Sequence, residues 1–503
     1  MNDKRKLEAK AKEILFSAGI ESDVLPQTIT ALTQAYTATT TTITPPSIAD
    51  VTDLLITNIQ NDAGNADCLQ LLYGDRVRYC HTRAVWFVWD GQRWAIDNNG
   101  EVQRLARETA KARYQAAAKM PTDTAEQQNA KKRFSSFAIS SESARQVKQA
   151  LESASNLRPL ATTVDLYDAD PMLANAGQVT IDLRAGATRE NRQDDYITKR
   201  LGANYDLKAK CPRWNQFLGE IFNNDAALIA YVQRAVGYSL TGETSEQKFF
   251  LLYGVGANGK SLYLGTLAKL FGEYAGTTPF DTFDAETSEA RQDLAKLRGA
   301  RFVSVIETDE DRRLAEARVK SVTGGDTITA RELYAKSYDY KPTFKLWVAM
   351  NHKPLIRGTD RGIWRRIALI PFTQSFEGRE DKQLESKLEA ELPGILNWAL
   401  EGLKAWRANG LGTCPAIEQA TSQYKQESDL IGQWLNECAE VAPTLETESG
   451  KLYQSYVAWC AAGGHRVENR NAWGRRMSER DGIKKSDKRS GKFFYSGVGI
   501  AKQ

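Results

Sequence analysis

Five consecutive apolar residues, Phe249 to Tyr253, run straight into the string GVGANGKS at Gly254 to Ser261, after which Leu262 to Phe271 takes up helical spacing. This order predicts a strand, a glycine-rich loop and a helix in succession. Three further apolar runs follow. Phe302 to Ile306 ends at Glu307, with Asp309 and Glu310 just beyond, and Phe344 to Asn351 ends in a polar residue before the turn His352-Lys353-Pro354. In DRGIWRRIALIPF, Asp360 to Phe372, a β-type run comes directly after Arg365 and Arg366. Between the first two of these runs, VKSVTGGDTITARELYAKSYDYKPTF reads as a helix, a Gly324-Gly325-Asp326 turn and then a hairpin. Its alternation presents Arg331, Tyr334, Lys336, Tyr338 and Lys341 as cations interleaved with rings.

Upstream the patterning is mixed. Residues 1 to about 35 read as short amphipathic helices, and YTATTTTITPP, ending at Pro46, reads as a linker. VWFVWDGQRW, Val85 to Trp94, has alternating aromatics around Asp90-Gly91 and predicts a hairpin. Helical segments follow to about residue 155, with a polar stretch around Lys119 to Lys132. A mixed segment then carries LYDADP and VTIDLRAG, and CPRWNQFLGEIFNNDAALIAYVQRAVGYSLTG is helical up to the glycine-rich loop. The carboxylates of Asp168 and Asp170 form a D-x-D. No internal repeat is present.

The loop carries the most specific chemistry. In G-x-x-x-x-G-K-S the glycines let backbone N–H groups turn inward around phosphates, Lys260 brings a point charge to the β and γ oxygens, and Ser261 offers a hydroxyl to Mg²⁺. The following helix directs its positive N-terminal end at the same anion. Hydrolysis also needs an acid at the end of a neighbouring strand to hold the metal and polarise water, which Glu307, Asp309 or Glu310 could supply. Asn351 could orient that water or sense the γ-phosphate, and an arginine at 365 or 366 could complete a neighbouring subunit's site.

Composition narrows the class without identifying it. With 503 residues, 42% of them hydrophobic and 26% charged, the chain is expected to form two to four soluble globular domains. No run approaches a membrane span, and the start lacks a signal-peptide core, so a cytoplasmic protein is expected. Cys68, Cys80, Cys211, Cys414, Cys438 and Cys460 show no C-x-x-C pair, and His81, His352 and His465 are the only histidines. Neither a structural zinc site nor a disulfide framework is expected. The net charge of +4 is unevenly spread. Arg466, Arg470, Arg475, Arg476, Arg480, Lys484, Lys485, Lys488, Arg489 and Lys492 cluster near the C-terminus, where a polyanion could dock.

Taken in order, GVGANGKS, VIETDE, KSVTGGDTITARELY, LWVAMNHKP and GIWRRIALIPF resemble the superfamily 3 helicase core of phage, plasmid and poxvirus-type primase-helicases. Upstream, VWFVWDGQRWAIDNNGEV, the DLRAG segment and QRAVGYSLTGETSEQ resemble the domain before that core. Downstream, YQSYVAWCAAGGHRVENRNAWGRRMSERDGIKK resembles a winged-helix module. The resemblance spans roughly residues 75 to 500. It implies an α/β fold, with a P-loop AAA+ (superfamily 3) ATPase core, a preceding mixed α/β domain and a C-terminal winged-helix-like domain. The expected division is 1–74 helical segment and linker, 75–205 mixed domain, 206–245 helical collar, 246–375 ATPase, 376–425 helical connector and 426–503 basic winged-helix-like domain.

For individual residues, the resemblance implies that Gly254, Gly256, Ala257, Asn258, Gly259, Lys260, Ser261 and Leu262 bind ATP. Ser261 and Glu307 hold Mg²⁺, with Glu307 the Walker B carboxylate; Asp309 and Glu310 leave the assignment of the base open. Asn351 is the sensor, and Arg366, preferred to Arg365, is the finger acting on a neighbouring subunit. Lys336, Tyr338 and Lys341 grip DNA, with Lys336 first, while Lys484, Lys485, Lys488 and Arg489 form a basic wing. Trp434, Trp459 and Trp473 are core anchors.

The implied activity is ATP-dependent replicative DNA unwinding for a mobile element in a bacterial cytoplasm. It would be performed by a ring, usually a hexamer, moving 3′ to 5′ on single-stranded and forked DNA. The chain before the helicase region is too short for the primase domain of many relatives, so a separate primase or initiator is an expected partner. An ATP-switched initiator or loading factor without processive unwinding is the alternative. A small-molecule kinase would leave the arginine and hairpin motifs unexplained.

Overall fold

The computed structural model of the chain describes residues 48–284, 290–306, 312–331, 338–356, 361–379, 381–489 and 491–501. The described residues form two compact units, 48–86 with 97–162, and 87–96 with those from 163 onward. This differs from the expected 75–205 domain, and the reason lies in what each segment buries. The helices Glu101–Ala116, Ala125–Ser140 and Ala144–Ala154 join Ile48–Thr57 and Asp62–Tyr73 in the first unit. Arg113 organises this bundle: fully buried, it donates to the carbonyls of Leu55 (3.1 Å) and Asn58 (2.7 Å) and to Asn65 Oδ1 (2.8 Å). It thereby satisfies carbonyls left open at the end of Ile48–Thr57. By contrast, Met172, Ala174, Ile181, Leu183, Leu201 and Ala203 bury their side chains in the second unit's main core.

The predicted hairpin is present in the second unit, with Trp89 opposite Trp94 and Phe87 opposite Ile96. Gly91 takes φ +92° at its turn, and Asp90 Oδ1 accepts from the N–H groups of Gln92 and Arg93. A parallel sheet dominates this unit. Its strands are β1 (Phe249–Tyr253), β2 (Ala275–Pro279), β3 (Phe302–Ile306), β4 (Lys345–Met350) and β5 (Ile367–Pro371). They lie in the order β5-β1-β4-β3-β2, all parallel.

Successive residues of a strand point to opposite faces, and both faces of β1 and β5 are covered, so these two strands are apolar throughout. Phe250, Leu252, Trp347 and Ile370 enter one core with helices α1 (Pro212–Ile221), α2 (Ala226–Leu240), α3 (Lys260–Phe271) and α5 (Leu392–Asn409). Phe249, Leu251, Val303 and Leu369 enter the other, which includes α4 (Glu316–Gly324) and Tyr424 of α6 (Pro415–Glu427). Helix α5, in the expected connector, lies along α2 at a close glycine crossing. A Cβ on Gly237 would sit 2.1 Å from Leu403 N, and one on Gly402 would sit 2.1 Å from Gln233 O.

Two buried cations lie at the amino ends of the central strands. Arg301, 4% exposed, donates to Leu240 O (2.7 Å) and Leu173 O (2.6 Å) and lies 4.3 Å from the Tyr274 ring centroid. Lys345, 1% exposed, donates to the carbonyls of Thr241, Glu243 and Thr343. Both therefore meet the carbonyl-rich C-terminal end of α2. Burial, assisted by the neighbouring charge of Arg301, drives the Lys345 ammonium well below the ordinary lysine range.

The C-terminal part has its own core of Trp434, Tyr456, Trp473 and Tyr495, contributed in part by α7 (Leu430–Cys438), α8 (Ser449–Ala462) and α9 (Arg470–Ser478). Beside them, Glu446–Glu448, Phe494–Ser496 and Lys484–Lys485 form an antiparallel sheet. Trp434 and Trp473 are fully buried, as expected of core anchors, whereas Trp459 is only partly buried. Among the described residues no helix is long and apolar enough to cross a membrane.

Candidate functional site

The glycine-rich loop joins the carboxyl end of β1 to the amino end of α3, a position where ligands bind in open parallel sheets. A Cβ on Gly254 would lie 2.2 Å from Phe372 O, whereas one on Gly256 would meet open space. Ala257 and Gly259 adopt left-handed φ of +55° and +87°, and Gly259 directly precedes the helix. Asn258 holds the curve from within. Its side chain, 3% exposed, donates to Val255 O (2.6 Å) and Phe372 O (3.4 Å). Phe376 N–H donates to Ala257 O at 2.8 Å, so the chain leaving β5 braces the loop from outside.

Lys260, 5% exposed, donates from Nζ to Gly254 O (2.5 Å), Asn258 Oδ1 (3.1 Å) and Asn351 Oδ1 (3.1 Å). These acceptors carry no formal charge. Desolvation accordingly pushes the ammonium down to about 8. A buried cation beside the open end of a helix, donating among the described residues only to uncharged oxygens, suits a polyanion. Ser261 is exposed on the first turn and Leu262 is half-buried beside it. The residues thus fit a nucleoside polyphosphate, with Lys260 as the charge and Ser261 available to a divalent cation. Glu307, Asp309 and Glu310 lie outside the described residues, among which no group of three or more His, Cys, Asp or Glu could hold a metal.

Asn351, at the carboxyl end of β4, is brought to the loop by the pairing of β4 with β1. Two residues on, Lys353 Nζ lies 4.6 Å from the Tyr253 ring centroid and 2.6 Å from Glu427 Oε2. This links two strand ends to helix α6.

The two arginines lie at the amino end of β5, opposite the end that carries the loop. Arg366, expected to reach a neighbouring subunit, is 8% exposed and turned inward, donating to Thr323 Oγ1 (3.2 Å) and Gly362 O (2.6 Å). Arg365 is exposed and donates to Gln247 Oε1 at 2.8 Å.

The predicted hairpin forms, with Ile328–Ala330 antiparallel to Tyr338–Tyr340. Lys336, between these strands, lies outside the described residues. Tyr338 is half-buried, and its hydroxyl donates to Ala295 O (3.1 Å), so it ties the hairpin's base to the core side. Lys341 is exposed.

Of the C-terminal cations, Arg466, Arg470, Arg475, Lys484, Lys485, Lys488 and Arg489 are exposed. Arg489 pairs with Glu446 (3.0 Å), and Lys492 pairs with Glu448 (3.0 Å). Arg476 and Arg480 are spent inside the fold on Glu468 and Asp429. The D-x-D is likewise engaged: Asp168 accepts from Thr198 N (2.8 Å), and Asp170 pairs with Arg184 (2.6 Å).

Sequence reasoning missed Asn258 as the loop's internal brace, Lys353 as a strand-end link, and Arg301 with Lys345 as buried cations. Asn258 had a local signal in its place within the glycine string. The other three had none, because a basic residue beside an apolar run is ordinarily solvated.

The fold is mixed α/β, with a parallel sheet that carries the glycine-rich loop at the carboxyl end of β1. Residues 66–223 match the family described as D5 N terminal like, and residues 252–366 match a family of unknown function. The chain is similar to a protein named "Putative helicase" from Acanthamoeba polyphaga mimivirus, 28% identical over 309 residues, covering 55% of this chain and 32% of that protein. It is also similar to a "Putative helicase" of Frog virus 3, 25% identical and covering 51% and 29% of the two chains. A "Putative primase" of African swine fever virus is 25% identical, covering 42% of this chain and 25% of its own length. The chain therefore spans about a third of the first two relatives and a quarter of the third. A solved apo structure of the NrS-1 C-terminal region covers 86% of this chain and 99% of its own, with 12% identity and a TM-score of 0.49.

Proposed function

We propose that this chain is an ATP-dependent replicative DNA helicase of a phage, plasmid or other mobile element, built on a P-loop AAA+ core of superfamily 3. The observation that carries this reading is Lys260. Its desolvated ammonium is held at the head of a helix between the loop's own oxygens and Asn351 of the adjacent strand. ATP with Mg²⁺ would supply the cleavable phosphoanhydride there. Lys260 would carry the charge facing the terminal phosphates, and Asn351, already bonded to that amine, would register their presence.

Assembly into a ring gives the exposed Arg365 a neighbouring site to serve, since the phosphate loop of its own chain lies at the other end of the sheet. The hairpin bearing Lys336 and Lys341, and the winged-helix-like basic C-terminal module, would hold single-stranded and forked DNA by phosphate neutralisation.

The test is unwinding of matched duplexes carrying a 3′ or a 5′ single-stranded tail. Opening of the 3′-tailed substrate alone, lost in Lys336→Ala, is expected. DNA binding and hydrolysis with neither duplex opened would instead favour an initiator or loader.

A pH dependence follows from the same amine. It is charged below about pH 8 and neutral above, and a bound polyphosphate returns it towards the usual lysine value. Binding above pH 8 must therefore take up a proton, and ATP affinity should fall by up to about tenfold per pH unit there. Calorimetric titration in buffers of different ionisation enthalpy would detect the uptake; a flat profile from pH 7 to 9.5 would contradict it.

A further inference from the structure

We propose that Phe376 and Arg379 form the platform that binds the nucleotide base. The proposal rests on the phosphate-loop reading above and adds a site to it. The segment leaving β5 is fastened at three points, one on the end of β1 and two on the loop: Phe372 N–H donates to Tyr253 O (2.8 Å), Asn258 Nδ2 donates to Phe372 O (3.4 Å), and Phe376 N–H donates to Ala257 O (2.8 Å). Phe372 spends its ring on the core, 3% exposed and 5.1 Å from the Phe222 ring. Phe376 does not: it packs against the same core but is only partly buried, one hydrogen bond from the phosphate cradle. Leu262, half-buried on the first turn of α3, packs against that core as well.

A tight turn then brings a cation over the ring. Arg379 N–H donates to Phe376 O (2.8 Å), and Gly378 adopts φ +73° as the third residue of the turn. The Arg379 guanidinium donates to Ser375 O (2.7 Å) and lies 6.0 Å from the Phe376 ring centroid. A flat base between a ring and a guanidinium needs about 7 Å between them, two contact distances of roughly 3.5 Å. The gap is therefore about 1 Å short. Arg379 is exposed and hinged on a glycine turn, so it can give that distance by a small side-chain rotation. A base seated there stacks on Phe376 below and on the cation above, which selects for an aromatic base rather than for phosphate.

The experiment compares calorimetric binding of ATP and inorganic tripolyphosphate to wild type, Phe376→Ala, Phe376→Leu and Arg379→Ala. Phe376→Leu keeps apolar bulk against the core while removing the flat ring, and tripolyphosphate reports on the loop itself. We expect both Phe376 variants to bind ATP about tenfold or more weakly while holding tripolyphosphate as wild type does, with a smaller ATP-specific loss in Arg379→Ala. ATP binding unchanged in both Phe376 variants would overturn the platform. Equal loss of both ligands would also overturn it, because the ring would then act only by bracing the loop. Failure of the wild type to bind either ligand would overturn the phosphate-loop reading itself.

Discussion

Lys260→Ala should abolish DNA-stimulated ATP hydrolysis and unwinding while leaving the apo protein folded. The amine is the charge aimed into the loop, and removing one such electrostatic group from a phosphoryl-transfer site costs about 100-fold or more in turnover. In the free protein the same ammonium is a liability, desolvated and donating among the described residues only to uncharged oxygens. The substitution should therefore leave the apo melting temperature unchanged or slightly raised. Stability and activity should move independently. Hydrolysis within a few-fold of wild type, measured with DNA in excess, would remove the loop from the mechanism.

The second large effect is on folding. Arg301→Ala should lower unfolding free energy by about 2–4 kcal/mol, because the carbonyls of Leu240 and Leu173 would be left without a donor in a water-poor place. The loss of stacking on Tyr274 adds to this, while the relief of burying a charge offsets part of it. Denaturant unfolding of the two proteins side by side would measure the difference. An unchanged midpoint would mean that water or a neighbouring donor reaches those carbonyls.

The two results probe features of unequal legibility. The strand, loop and helix around Lys260 could be read directly, because a buried parallel strand is apolar at every position and the loop's chemistry demands glycine at fixed spacing. The hairpins at Asp90-Gly91 and around Ile328 were legible for a similar reason, since alternation and turn residues are local properties. Arg301 was not. Its partners are backbone carbonyls 61 and 128 residues away, and a carbonyl has no letter in the sequence. The unit boundary was obscured in the same way. Helix Glu101–Ala116 belongs with Ile48–Thr57 through Arg113 bonding to main-chain oxygens, while the following strands bury their side chains beside the sheet. Arg366 shows the converse: adjacency to the apolar run could be read, but the direction of its side chain within the chain depends on Thr323 and Gly362, which adjacency does not supply.

The buried cations also decide where the molecule can be cut. A fragment trimmed to residues 246–375 would contain every strand of the parallel sheet, yet it would discard Leu173, Leu240, Thr241 and Glu243. Arg301 would lose both carbonyl acceptors and Lys345 two of its three, at the foot of the sheet. The smallest soluble piece for biochemical work should therefore begin ahead of Leu173, and shorter ones should aggregate on expression.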